Sequence, residues 1–295
     1  MILKRILKKI IWYVRILLTN LKIKRKYRIG KSYIMLDYTS KLPDYQNSFP
    51  FYDRFLPHFA KYLSLNSIVI DIGANVGDTV VSMINSNLNL KYICIEADKH
   101  FFSYLEKNIS ALLKQFPNLQ VKLIQEFVGK NLNNVKLEGK FGTKHAKLGG
   151  KITSKTLDNI LKELFNDYKQ ISLIKTDVDG FDYDVIRSGI KSISHNPFLY
   201  FECDYSNKYQ LNEYKKLFFE LKQKGYNRFT FFDNYGHYLC DTDQLNLINN
   251  LLDYAATKKL YLKNNKTINY YDVLAYNNNK SKLVLQAIKK YNFKK

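Results

Sequence analysis

Two spacings of apolar residues organise this chain. Over residues 1–28 they recur at helical intervals: Leu3, Leu7, Ile10, Val14, Leu17 and Leu21 are four or three apart, and Ile2, Ile6, Ile11 and Leu18 widen the stripe. That spacing predicts one amphipathic helix. From residue 67 onward, short apolar runs alternate with helical patterns. The runs at 68–72, 92–95, 119–128, 171–174 and 198–201 read as strands, and 79–85, 99–115, 156–166, 183–188 and 209–224 as helices. Strand–helix alternation predicts an α/β sandwich, with a mostly parallel sheet and helices on both faces. Residues 228–232 and 272–276 read as later strands, and 245–252 as a helix. Residues 129–155, with Gly139, Gly142, Gly149 and Gly150, read as a hairpin excursion. The expected organisation is a basic amphipathic helix within 1–31, a cover segment over 32–66, a main domain over 67–277 and a basic C-terminal helix over 278–295.

Charge sharpens this division. The chain of 295 residues carries a formal charge of +21. Residues 1–31 hold 11 Lys or Arg and no acid; residues 257–295 contribute +9, leaving one net positive charge for 32–256. A neutral body with basic ends points to ends that meet an anionic surface, not to a nucleic-acid groove around the site. The N-terminal helix is too interrupted by charge to span a bilayer and lacks a signal-peptide pattern. With Trp12 and Tyr13 as interfacial aromatics, it suits an anionic membrane surface; packing on protein is the competing reading. Cys94, Cys203 and Cys240 are widely spaced, which fits free thiols in a reducing, cytoplasmic setting.

The ends of the strands carry the candidate chemistry. The run at 68–72 leads through Asp71 into Gly73-Ala74-Asn75-Val76-Gly77 and then a helical pattern. A strand, a glycine turn and a helix start form a nucleotide-binding geometry, because glycine admits a ligand close to the backbone and the helix start offers free amides. The spacing lacks the third glycine of a dinucleotide fingerprint, and there is no P-loop. The next strand ends on Glu96, where ribose hydroxyls are held in such folds. An adenosine-type ligand without pyrophosphate fits, and S-adenosylmethionine is the candidate. The other strand ends are Gln125 and Glu126, Asp177 and Asp179, and Glu202 and Asp204, all polar or acidic. Asp177 and Asp179 can balance cationic charge, orient an acceptor hydroxyl or take its proton. Paired carboxylates also suit magnesium, and the sequence does not separate base from ligand. The five histidines show no metal spacing.

Three segments carry a family resemblance: Val69 to Thr79, Thr156-Leu157-Asp158, and Ile174-Lys175-Thr176-Asp177-Val178-Asp179-Gly180-Phe181-Asp182, with Phe201 to Asp204 and Asp272 to Tyr276 in support. Together, over about residues 67–277, the chain resembles the FkbM-type S-adenosylmethionine-dependent methyltransferases. The family usually shows Ile-Asp-Val-Glu-Gly where this chain has Thr176-Asp177-Val178-Asp179-Gly180. The resemblance implies a class I methyltransferase (Rossmann-like) fold and O-methylation of a hydroxyl, commonly on a sugar. By position it implies that Gly73, Asn75 and Gly77 line the methionine and ribose side of the cofactor, with Glu96 on the ribose hydroxyls and Gln125 or Glu126 near the adenine; from the strand ends themselves, Asp71 joins the cofactor set and Asp177, Asp179 and Glu202 are the catalytic candidates. The expected partner is a saccharide or glycolipid acceptor, met at the inner face of a membrane. The competing expectations are a non-catalytic membrane scaffold of the same fold and a nucleic-acid methyltransferase. The second lacks the Asn/Asp-Pro-Pro-Tyr/Phe element of base N-methylation.

Overall fold

The computed structural model describes residues 2–129, 135–138, 145–148, 153–165, 167–261 and 268–292. Gly139, Gly142, Gly149 and Gly150 lie outside the described residues. The N-terminal stripe forms α1 (Ile2–Asn20). The helix ends there and does not run on to 28. Lys22 takes a left-handed turn (φ 57°), and the basic run becomes a strand, β1 (Lys24–Ile29). It pairs antiparallel with β2 (Ser32–Asp37). Alternation explains the switch: Ile29, Ile34 and Leu36 are buried while exposed Lys26 and Arg28 point to solvent. The cover segment continues as α2 (Leu42–Ser48) and α3 (Phe55–Phe59).

The main domain then runs β3 (Ile68–Ile72), α4 (Asp78–Ser86), β4 (Lys91–Ile95), α5 (Lys99–Gln115), β5 (Gln120–Ile124). A small antiparallel hairpin follows, β6 (Val135–Glu138) with β7 (His145–Leu148). Next come α6 (Leu157–Leu164), β8 (Ile171–Thr176), α7 (Asp182–Ser188), β9 (Phe198–Cys203) and α8 (Lys208–Gln223). The chain closes with β10 (Arg228–Asp233), β11 (Tyr238–Thr242), α9 (Leu245–Tyr261), β12 (Tyr271–Tyr276) and α10 (Ser281–Asn292). β11 was not visible in the sequence pattern, and β5 stops at Ile124, so Gln125 and Glu126 fall in the following loop.

Eight strands form one sheet in the order β11-β10-β12-β9-β8-β3-β4-β5. From β9 to β5 the pairing is parallel; β12, β10 and β11 add antiparallel strands at one edge. The sheet is the mostly parallel sheet of the α/β sandwich expected from the pattern. Alternate residues of β3 feed separate cores. Ile68, Ile70 and Ile72 pack in the layer holding α6 to α9. Val69 packs in the layer holding α3, α4, α5, α10 and the β1–β2 hairpin. The chain moves outward from β3 in one direction through β4 and β5, and in the other through β8 and β9. That reversal opens a crevice at the carboxyl ends of β3 and β8, the place where such sheets bind ligands.

Candidate active site

The crevice is built from four strand ends. After β3, Gly73 has φ 74° and Asn75 φ 49°, and Gly77 at φ 86° starts α4. These left-handed residues fold the loop back onto β4: Gly73 and Ala74 N–H donate to the Ile95 carbonyl at 2.9 and 3.1 Å. Gly73 is required by space as well as by φ, since a Cβ there would lie 2.0 Å from the Asp177 carbonyl oxygen. Asn108 on α5 braces the same loop, donating to the Val76 carbonyl at 2.8 Å and accepting from Met35 N–H at 2.7 Å.

Glu96, at the end of β4, is buried, and both carboxylate oxygens are oriented by backbone. Asn75 N–H donates to Oε2 at 2.8 Å and Asp98 N–H to Oε1 at 2.7 Å. Each oxygen keeps a further lone pair for a ligand hydroxyl. Burial pushes the Glu96 carboxyl up, while these two amides pull it down. Asp98 itself caps α5, accepting from His100 and Phe101 N–H at 3.0 and 3.1 Å.

Two clefts open on this framework. The first encloses about 670 Å³ of space open to solvent. Gly73, Asn75, Glu96 and Asp98 supply its polar wall; Phe101, Phe127, Val128 and Phe181 its apolar wall; Glu126, Asp177 and Asp179 complete it. The second, about 360 Å³, is lined by Asp53, Leu56, Thr79, Lys175, Thr176, Asp177, Tyr200, Glu202 and Asp272. Asp177 belongs to both.

The structure therefore sorts the sequence candidates. Gly73, Asn75, Glu96, Glu126 and Asp179 line the first cleft, Glu202 the second, and Asp177 the wall between. Gln125 is exposed and outside both linings. Gly77 lies against Leu105, 2.8 Å from where a Cβ would sit, and so sets the approach of α5 to α4. Asp71 is fully buried behind the site. Its neighbour in register on β8 is Lys175, whose Nζ reaches Asp71 Oδ1 at 2.8 Å, the Gly73 carbonyl at 3.2 Å and Asp177 Oδ2 at 3.5 Å. Burial alone would lower the Lys175 ammonium, but Asp71, Asp177 and Asp78 outweigh it and raise it, so the amine stays charged.

Three contributors were missed at the sequence level. Lys175 is a buried cation in a strand that is mostly apolar and mostly buried, which is a signal in its own right. Asp272 stands opposite Glu202 in the β12–β9 register, a pairing invisible without the sheet. Asp53 follows Tyr52 in a left-handed turn (φ 55°) of the cover segment. Burial and the carboxylates around them push Glu202 and Asp272 well above the ordinary carboxyl range. Burial and Asp177 push Asp179 to about 8. Asp182, under the turn, accepts from Thr176 Oγ1 at 2.8 Å and is pushed up to about 7 by burial and Asp177. Among the described residues no group of three His, Cys, Asp or Glu gathers as a metal site would require.

The model of the methyltransferase FkbM domain matches residues 71–228. No curated protein matches the sequence. Similar solved structures include precorrin-6y C5,15-methyltransferase from Geobacter metallireducens GS-15, with 11% identity over 75% of this chain and 85% of that one and a TM-score of 0.39. Methyltransferase FkbM from Methylobacillus flagellatus KT shares 13% identity over 72% of this chain and 44% of its own, at a TM-score of 0.37. TYW2 of M. jannaschii, in complex with AdoMet, shares 9% over 85% and 84%, at 0.42.

Proposed function

This chain belongs to the FkbM family of S-adenosylmethionine-dependent methyltransferases, and we propose that it methylates a hydroxyl of a saccharide, on a cell-surface glycan or its lipid-linked precursor. The observation that carries this reading is the position of Asp177 in the wall shared by a nucleoside-type cleft and a second, polar cleft.

The residues of the first cleft fit the cofactor. Glu96 has lone pairs left for ribose hydroxyls, and the aromatic wall suits a purine. Asp177 offers negative charge to the ammonium and sulfonium of the cofactor, and Asp179, raised to about 8 in the free protein, is drawn toward ionisation by those cations. When bound, the cofactor supplies a methyl group on positively charged sulfur. This chain's residues then have three tasks. The Gly73 loop and Glu96 bind and orient. Asp177, half exposed, accepts the proton of the incoming hydroxyl. Lys175 holds Asp177 against the glycine loop, 3.5 Å from Oδ2.

The second cleft suits a neutral polyol. Burial and the neighbouring carboxylates push the Glu202 and Asp272 carboxyls upward, and a carboxyl offers an O–H donor when protonated and an acceptor in either state. A sugar, with both functions on each hydroxyl, matches such a wall. These intact linings favour turnover over a scaffold role.

Two measurements test the proposal. Isothermal titration of the purified protein with S-adenosylmethionine should show binding that Glu96→Ala weakens; no binding to the wild type would sink the reading. Mass spectrometry of surface glycans from cells with and without the protein should show one methyl group lost with the gene. Unchanged glycans would overturn the saccharide assignment.

A further inference from the structure

Helix α1 is mounted inside out. On a 3.6-residue repeat, Trp12, Arg15, Ile16 and Thr19 share one face, and these are partly covered by the body. Arg15 grips Asp44 on α2, with Nη2 3.0 Å from Oδ1, and Thr39 N–H donates to Thr19 Oγ1 at 3.3 Å. The opposite face carries Ile6, Leu7, Ile10, Val14, Leu17 and then Leu21. It is turned to solvent: Leu7 is 58%, Ile10 52% and Leu17 57% exposed. A soluble protein normally buries such a stripe and shows the charged face.

The segment that holds α1 leads toward both clefts. Asp44 lies one position before Tyr45, whose ring is 5.1 Å from that of Tyr52, and Tyr52 adjoins Asp53 of the second cleft. On the other flank, Asp37 at the end of β2 contacts His100 Nε2 at 2.7 Å, in the first turn of α5 that Asp98 of the first cleft caps. α1 is thus held to the cover segment, through Asp44 and Thr39, within a few residues of segments that reach both clefts.

We propose that the outward face of α1 docks on an anionic membrane and holds the second cleft at its surface, so that the acceptor is a membrane-borne saccharide and not a free one. The proposal rests on the methyltransferase reading above. Charge selects the occupant. Lys8 and Lys9 are exposed on α1, Arg28 and Lys26 on adjoining β1, and residues 1–31 contain no acid. A second copy of the helix would bring these cations together with nothing to pair them, whereas anionic headgroups neutralise them while the acyl boundary takes up the apolar stripe.

The test uses the full chain and vesicles of equal parts phosphatidylcholine and phosphatidylglycerol, against phosphatidylcholine alone. Co-sedimentation should occur with the anionic vesicles and weaken with salt. The charge-neutral triple variant Leu7→Ser, Ile10→Ser, Leu17→Ser should lose binding by about tenfold or more, given the apolar burial forgone, while its affinity for S-adenosylmethionine is unchanged. Equal binding by the variant would reduce the effect to the charge of the whole chain and overturn the proposal. So would a wild-type dimer, seen by light scattering without vesicle binding, that the variant dissolves. With labelled cofactor and envelopes from cells lacking the protein, label should enter the lipid-extractable saccharide. Label confined to water-soluble saccharide would overturn the membrane-borne acceptor and leave the methyltransferase reading standing. Absent cofactor binding in the wild type would instead break that reading, whatever the vesicles show.

Discussion

Gly73 and Asp177 meet backbone to backbone. A Cβ on Gly73 would stand 2.0 Å from the Asp177 carbonyl oxygen, so the glycine loop and the backbone of the residue shared by both clefts rest on each other. Whatever moves one moves the other.

The first prediction follows from that contact. Gly73→Ala forces the loop away from β8 and places a Cβ at φ 74°. Strain of this kind costs about 1–3 kcal/mol. We expect a lower melting temperature and cofactor affinity reduced about tenfold or more, read by calorimetry of both properties.

Glu96→Gln tests the ribose contact. Its amide keeps the shape but offers one acceptor oxygen where Asn75 and Asp98 N–H each need one. A buried N–H left unpaired costs about 1–3 kcal/mol. Titration should show cofactor affinity falling about 5- to 100-fold, with thermal stability also reduced. Unaltered affinity would mean that Glu96 does not face the ribose.

Lys175→Met should be the most damaging single change at the site. Asp71 is fully buried and depends on that ammonium 2.8 Å away. Removing one partner of a buried pair costs about 3–5 kcal/mol. Adding Asp71→Leu to Lys175→Met should restore much of the stability without restoring activity, since Asp177 loses its anchor in both. Chemical denaturation of the four proteins gives the coupling directly.

The three catalytic candidates should separate kinetically. Asp177→Asn should lower turnover by about a hundredfold or more, the scale of general-base loss. Asp179→Asn should chiefly change cofactor affinity, and Glu202→Gln chiefly the KM for the acceptor. Equal effects on both affinities from Asp179 and Glu202 would show that the two clefts act as one.

Stability should fall as pH rises across the neutral range. Asp78, Asp182 and Asp179 stand at about 6, 7 and 8 in the folded chain, raised from an ordinary 3.8 chiefly by burial. The folded state therefore holds protons that the unfolded state has released. The stability they lend is complete below about pH 4 and is lost as pH climbs through those values. Melting of the cofactor-free protein at pH 5.5 and 8 should show the higher temperature at pH 5.5, and Asp182→Asn should narrow the difference. Cationic cofactor favours the ionised carboxylates, so its affinity should rise over the same interval.

Much of this was legible along the chain. The apolar runs ending on Asp71, Glu96, Asp177 and Glu202 gave the strands, their order of use and the polar edge. Gly73 and Gly77 marked a loop that only left-handed residues can make. The reading failed where a local pattern had two outcomes. Residues 24–29 continue the charge pattern of a helix flank yet form β1, because Ile29 finds a buried place beside β2. Asp71 reads as a ligand contact in sequence but serves as the counter-charge of Lys175.

Hydrophobic periodicity, the glycine turn and the acidic strand ends determine the α/β class and the polar cleft at the strand ends, because those signals lie within a few residues of one another. Strand order decided the rest. It set Lys175 beside Asp71, Asp272 opposite Glu202, and Asp177 between two clefts, each across a hydrogen-bonded ladder that joins distant parts of the chain. It also turned the stripe of α1 outward, since which face of an amphipathic helix meets the body depends on what the body offers, here Asp44 and Thr39.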